Sequence, residues 1–361
     1  MSLLDRLKKA GTIKGAEVLS DSFLFNDKDF IKSEIPIINL AFSGRLDGGF
    51  TTGLTVLSGE SKTFKTLLSL YCMKSYFDMY PDAIALFYDC EFGTTPEYMK
   101  SFGIDPERVL HVPLEHVEQL KFDIVKRLDE IKRGDKVFIM IDSLGNLASK
   151  KEVDDATNEN SAADMSRAKA IRSLLRITTP HFTSKDLPCI MINHVYKEIG
   201  LFPKDVIPGG TAVTYAANQI FIITKAQEKD GTELAGYKFT INIFKSRFVK
   251  EKAKFPFTVL YQSGIMKWSG LMDIAIEGGY IIKPKQGWYQ VADPATGEIL
   301  HDDKLYRAKD IENSDTFWNR VIKETTFGEF VKKRYTLGEI SLLSSMDEEE
   351  NPLLEDAGED E

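Results

Sequence analysis

The chain is 361 residues long, 43% hydrophobic, with a formal net charge of −9. Those values suit a large buried core, and no uncharged apolar run approaches the length of a membrane span. The opening MSLLDRLKKAG lacks the apolar stretch and cleavage site of a secretory signal, which predicts a cytoplasmic protein with no membrane partner.

Cys72, Cys90 and Cys189 are odd in number and dispersed in apolar stretches, as expected of reduced buried thiols rather than disulfides or metal ligands. The charge is uneven. The final segment MDEEENPLLEDAGEDE holds nine acids and no Lys or Arg, so the preceding residues carry 46 bases against as many acids. Such a run repels itself and predicts a disordered tail over 346–361, a solubilising end or a polyanion competing with nucleic acid for basic loops.

In chain order, residues 3–10 predict a short amphipathic helix with Leu3, Leu4 and Leu7 on one side. The arm to residue 35 carries the apolar trio Phe23, Leu24 and Phe25. Between 36 and about 225, apolar runs at Leu54–Leu57, Ile84–Tyr88, Val137–Ile141, Cys189–Ile192 and Ile220–Ile223 alternate with helix-like spacing. In 117–131, Val117, Leu120, Ile124, Leu128 and Ile131 share one helical face. Continuous apolar strands joined by helices predict an α/β core, a mostly parallel doubly wound sheet covered on both faces. Beyond 225, the Asp230-Gly231 pair marks a hairpin, with Tyr237–Phe244 and Phe255–Leu260 extending the core as an antiparallel edge. Residues 270–345 read as a small α+β unit: a helix at 270–278, the aromatic turn KPKQGWY and two short helices. The expected divisions are therefore 1–35, 36–269, 270–345 and 346–361.

The segment LTVLSGESKTFKT places an apolar strand, a loop from Gly59 and a helix start in the order of a phosphate-binding P-loop. Loop amides converge on phosphate oxygens, Lys65 bridges the outer phosphates, and the Thr66 hydroxyl suits Mg²⁺. Phe64 stands where the usual pattern has Gly, so it either adopts a right-handed conformation or stores roughly 1–3 kcal/mol of strain. Asp142 closes the run VFIMI as the second Mg²⁺-handling carboxylate. Glu91, in FYDCEFG, is placed to deprotonate an attacking water, with Asp89 its rival or its support. His194 follows CIMIN and suits a donor to the γ-phosphate. Lys245 and Arg247, two apart in FKSRFVK, are expected on one side of a strand, able to reach a neighbour's phosphate. Two polar stretches, 149–164 and 195–213, read as long binding loops, both with Lys and the second with Gly. Tyr196 and Phe202 in the second are candidate stacking groups for bases.

Taken together, GESKTFKT, FYDCEFG, FIMIDSLGNLASKKE, IMINH followed by PGG, and KSRFVKEKAKF resemble the RecA-type strand-exchange recombinases. Within them the likeness is to those of large tailed phages, which also carry Phe for the second P-loop Gly. The resemblance implies ATP and Mg²⁺ held by Gly59, Glu60, Ser61, Lys62, Thr63, Phe64, Lys65 and Thr66, with Asp142 as the Walker B acid. It makes Glu91 the general base, gives His194 the γ-phosphate sensor place, and sets Lys245 and Arg247 across the subunit interface. Tyr98 and Tyr261 match positions that pack on adenine. The two loops match DNA-binding loops, bringing in Lys150, Lys151, Tyr196, Lys197, Phe202, Lys204, Gly209 and Gly210. Arg172 matches a phosphate contact on the following helix. Residues 1–35 match an arm that docks on the next protomer, with Phe23 and Phe25 as candidate anchors. The implied activity is ATP-dependent homologous pairing and strand exchange by helical filaments on single-stranded DNA, serving phage recombination, repair and replication. Homologous duplex, a single-strand-binding protein and a recombination mediator would be its partners. From the residues alone, a replicative helicase or an ATP-gated DNA-binding adaptor shares the core.

Overall fold

The computed structural model describes residues 2–13, 16–22, 29–158, 165–198, 205–300 and 304–338. Helix α1 (Leu3–Ala10) starts from a Ser2/Asp5 capping box, and its three leucines are exposed. The α/β body follows with α2 (Pro36–Ser43), β1 (Gly53–Gly59), α3 (Lys65–Met79), β2 (Ile84–Asp89), α4 (Pro96–Ser101), β3 (Val109–Pro113) and α5 (Val117–Glu130). It continues through β4 (Val137–Asp142), α6 (Lys150–Thr157), α7 (Ser166–Ser184), β5 (Pro188–His194), β6 (Tyr196–Lys197), β7 (Asp205–Val206) and α8 (Gly210–Ala216). Long strands β8 (Gln219–Asp230) and β9 (Glu233–Lys245) lead to β10 (Lys254–Leu260) and β11 (Gly264–Ile265). The C-terminal segment holds α9 (Leu271–Glu277), β12 (Ile281–Lys285), β13 (Trp288–Asp293), β14 (Glu298–Ile299), α10 (Ala308–Glu312), α11 (Asp315–Glu324) and α12 (Phe327–Tyr335).

Among the described residues, one nine-stranded sheet runs in the order β11-β10-β9-β8-β1-β5-β4-β2-β3. Pairings from β8 to β3 are parallel, and those from β8 to β11 antiparallel. This is the expected α/β architecture with its antiparallel extension. Alternation along each parallel strand divides the core between two faces. On β4, Phe138 and Met140 join one apolar cluster, while Val137, Ile139 and Ile141 join the other. Helix α5 covers the second face with Val117, Leu120, Ile124 and Leu128, all fully buried, each contributing about 1.5–3 kcal/mol. The parallel strands place their carboxyl ends, and with them Gly59, Asp89, Asp142 and His194, along one edge, where open α/β sheets bind ligands.

Four expectations are corrected. The first polar stretch is not loop throughout: α6 occupies 150–157, started by a Ser149/Glu152 capping box and braced by Lys151 and Asp155 at 4.0 Å. It buries no residue, which is why no apolar period announced it. The second stretch contains a two-stranded ribbon, Tyr196 opposite Val206 and Lys197 opposite Asp205, and then α8. KPKQGWY is a hairpin between β12 and β13 rather than a turn alone, and three helices follow it, not two. Arg247 lies past the end of β9 in a bend, so it does not share a strand face with Lys245. The C-terminal segment shares its apolar cluster with the body: Trp268 and Trp318 stack at 6.2 Å and join the cluster that holds Phe257 and Ile241.

Candidate nucleotide site

A Cβ on Gly59 would lie 2.5 Å from the Ile223 carbonyl oxygen on the neighbouring strand β8 and 2.6 Å from Thr63 Oγ1 across the loop. Glycine is required there by close approach rather than by dihedral freedom. The Lys65 ammonium, almost fully buried, donates to the Glu60 carbonyl at 2.6 Å and to Thr63 Oγ1 at 3.3 Å. Burial holds it below the ordinary lysine value, against the pull of Glu91 and Asp142. Phe64 caps α3 at φ 70° and ψ 10°, the left-handed region. Of the two conformations open to it, it adopts the strained one.

At the end of β4, Asp142 Oδ2 accepts from Thr66 Oγ1 at 2.8 Å, while Asp142 Oδ1 is buried and unpartnered among the described residues. Burial, then the nearby Glu91 and Asp89 carboxylates, push Asp142 up to about 7. A hydroxyl and a carboxylate with a spare buried oxygen, beside a buried lysine, fit a hard, oxygen-preferring cation such as Mg²⁺. Bound there, such a cation would neutralise phosphate charge, and Thr66 and Asp142 are the residues to hold it.

Glu91 sits two residues past β2. Its Oε1 accepts from Ser143 Oγ at 2.6 Å and Asn146 Nδ2 at 2.9 Å, with His194 Nε2 at 3.3 Å. Asp89, 2% exposed, faces other partners. Its Oδ1 accepts the amides of Glu91 and Phe92, both at 2.9 Å, and its Oδ2 meets His111 Nε2 at 3.2 Å. Asp89 therefore shapes the turn that carries Glu91. Ser61 through Thr66, Glu91, Asp142 and His194 line one cavity of about 280 Å³. A larger cavity of about 430 Å³, between the β9–β10 edge and the C-terminal helices, has no such loop or hydroxyl–carboxylate pair.

Other expected site residues lie apart. Tyr98 on α4 packs on Phe102 at 5.1 Å, and Tyr261 meets Tyr237 edge-on at 6.0 Å; neither is among the cavity's described lining. Lys245 donates to the carbonyls of Thr214 at 2.6 Å and Ala217 at 2.7 Å, at the end of α8, and Arg247 is exposed. Lys150, Lys151, Arg172 and Tyr196 are exposed. Gly209 (φ 93°) and Gly210 (φ 61°) begin α8. Phe23, Phe25, Phe202, Lys204 and the acidic tail fall outside the described residues, and Lys197 is described in backbone only. Ser143 and Asn146 were not anticipated; Ser143 directly follows Asp142, but nothing in the local pattern marks Asn146.

A strand, phosphate loop and helix with a hydroxyl–carboxylate pair at the sheet edge define a P-loop protein of the nucleotide-binding α/β class. The RecA N-terminal domain family matches residues 38–266, and the C-terminal domain family of the bacteriophage T4 recombination and repair protein matches 268–331. The chain belongs to the RecA family. It is 50% identical to the "Recombination and repair protein" of Enterobacteria phage T4 over 94% of this chain and 87% of that one. It is 28% identical to "Protein RecA" of Tropheryma whipplei over 76% of this chain and 62% of that protein. To "Protein RecA" of Corynebacterium urealyticum it is 25% identical over 84% and 81%. Among the described residues no helix is long and apolar enough to cross a membrane.

Proposed function

We propose that this chain is an ATP- and Mg²⁺-dependent DNA recombinase that assembles as a helical filament on single-stranded DNA and exchanges strands with a homologous duplex. The observation that carries the reading is the pair of half-buried Thr66 and buried Asp142 with its spare carboxylate oxygen, set beside Lys65 and facing Glu91 across one cavity. Gly59 to Thr66 cradle the triphosphate, Asp142 and Thr66 hold the cation, and Glu91 orients and deprotonates water. His194, in contact with Glu91, reports the γ-phosphate to the β6–β7 ribbon that follows it.

Lys245 and Arg247 complete the site from the adjoining protomer, and Tyr98 and Tyr261 pack on adenine at that joint. Lys150, Lys151, Arg172, Tyr196, Lys197, Phe202, Lys204, Gly209 and Gly210 grip the polynucleotide, chiefly through phosphates, so binding weakens steeply with salt. Membership of the RecA family and the match to the phage T4 protein support this reading over a helicase or an adaptor. The setting is the host cytoplasm, with a single-strand-binding protein and a mediator as helpers. Electron microscopy with single-stranded DNA and a non-hydrolysable ATP analogue tests it. Open helical filaments are expected; isolated molecules or closed hexamers alone would refute it.

A further inference from the structure

We propose that Asn146 is a positioning residue that ties Glu91 to α6 and restrains the carboxylate until polynucleotide displaces that helix. The proposal rests on the reading of Glu91 as the water-activating base. Glu91 Oε1 takes three contacts, and they differ in what they are attached to. Ser143 adjoins the end of β4, and His194 ends β5. Asn146 alone belongs to the turn that leads, through the Ser149 cap, into α6.

That turn is clamped to the start of α7. From the first turn of α7, the Arg167 guanidinium donates to the carbonyls of Leu147 at 2.6 Å, Gly145 at 2.9 Å and Leu144 at 3.0 Å. Lys150 begins α6, and its amide donates to Glu118 Oε2 on α5 at 2.8 Å, which seats the start of α6 on that helix. Gly145 packs so closely that a Cβ there would lie 2.9 Å from both Asn193 Oδ1 and His194 Cδ2. Residues 144–147 are therefore fastened to the start of α7 and packed on the end of β5, and the chain runs from them through Ala148 and Ser149 directly into α6. The exposed Lys150 and Lys151 offer a polyanion its grip on α6. A pull on that helix draws the Asn146 amide off Glu91 and leaves the carboxylate to Ser143, His194 and water. The coupling runs by hydrogen bonds and short backbone spans, and Asn146 is its one exposed and replaceable link.

Steady-state ATP turnover of the full chain, with and without single-stranded polythymidylate, tests this for Asn146→Ala, Asn146→Gln and Glu91→Gln. Asn146→Ala should raise the DNA-free kcat about tenfold, the scale of one hydrogen bond to a charged group. KM for ATP and the DNA-stimulated kcat should hold, so the stimulation ratio collapses. Polythymidylate, no longer having to break the Asn146 link, should bind up to about tenfold tighter. Asn146→Gln, which keeps the amide donor, should restore part of the ratio. An unchanged or lower DNA-free kcat, or a parallel fall in both rates, overturns the proposal while Glu91→Gln remains inactive. Wild-type turnover by Glu91→Gln would instead remove the reading beneath it, and the proposal with it.

Discussion

The ring of Phe64 lies 4.9 Å from that of Phe239, with Phe257 at 5.4 Å, while its own backbone sits at φ 70° and ψ 10°. Left-handed backbone is costly for a bulky residue, on the order of 1–3 kcal/mol. Burying a phenylalanine in an aromatic nest on β9 and β10 offsets that cost. The loop here is held in a glycine-like shape by a side chain packed into the antiparallel extension.

This balance predicts an order of substitutions. Phe64→Ala loses the ring, about 3–5 kcal/mol, and keeps the unfavourable dihedral. Phe64→Gly loses the same ring but relieves the strain, so it should be the more stable by roughly 1 kcal/mol. Urea unfolding midpoints of the two variants check this, and an alanine variant the more stable would rule out strain at this position.

Elements buried on both faces were legible in the sequence because nothing interrupts their apolar runs: β1, β2, β4 and β5 extend only one or two residues beyond the stretches read from it. Edge strand β3 was not, since its side chains are half or fully exposed and Leu110 and His111 carry no burial pattern. Helix α6 failed for the same reason, although Ser149-x-x-Glu152 was present as a capping signature. Within the site, residues set by chain-local geometry were readable, namely Lys65, Thr66, Asp142 and Glu91. What escaped was contact between segments. Asp89 could not be separated from Glu91 without seeing which amides it accepts, and Asn146 reaches Glu91 from fifty-five residues away.

Asp142 gives stability a pH dependence in the protein free of nucleotide and metal. Its folded value, about 7, lies above its ordinary 3.8, so the folded state retains a proton that the unfolded chain has lost. The contribution is fully present below about pH 4 and disappears as pH rises through 7, a loss of about 2–4 kcal/mol. Asp142→Asn removes it. Urea midpoints compared at about pH 5 and about pH 8 should fall more for the native chain than for this variant. Equal falls would mean that Asp142 is ionised in the folded protein at both.

Glu91 and Asp89 should separate kinetically. Glu91→Gln is expected to lower kcat by about 10²–10⁴ with nucleotide affinity kept, the span of a lost general base. Asp89→Asn leaves the base in place but weakens the acceptor of two amides in a turn where Phe92 is left-handed at φ 54°. A fall of roughly tenfold in kcat, at unchanged KM, is the expected cost of the misplaced base. Single-turnover assays with and without excess enzyme distinguish chemistry from release. A larger loss from Asp89→Asn than from Glu91→Gln would exchange their roles.

Lys245 and Arg247 differ in the isolated chain, and that difference is measurable. The Lys245 ammonium is satisfied within its own chain: it donates to two carbonyls at the end of α8, where the helix dipole also favours a cation. Lys245→Met should therefore destabilise the monomer by about 1–2 kcal/mol, whereas the exposed Arg247→Met should stay within about 0.5 kcal/mol of the native chain. Both should sharply reduce DNA-stimulated turnover if both cations act across the subunit joint. Thermal unfolding at low concentration, paired with turnover on single-stranded DNA, reads the two effects separately. A native-like melting midpoint for Lys245→Met would deny that the lysine caps α8, and full stimulated turnover by Arg247→Met would deny that Arg247 reaches the neighbouring nucleotide.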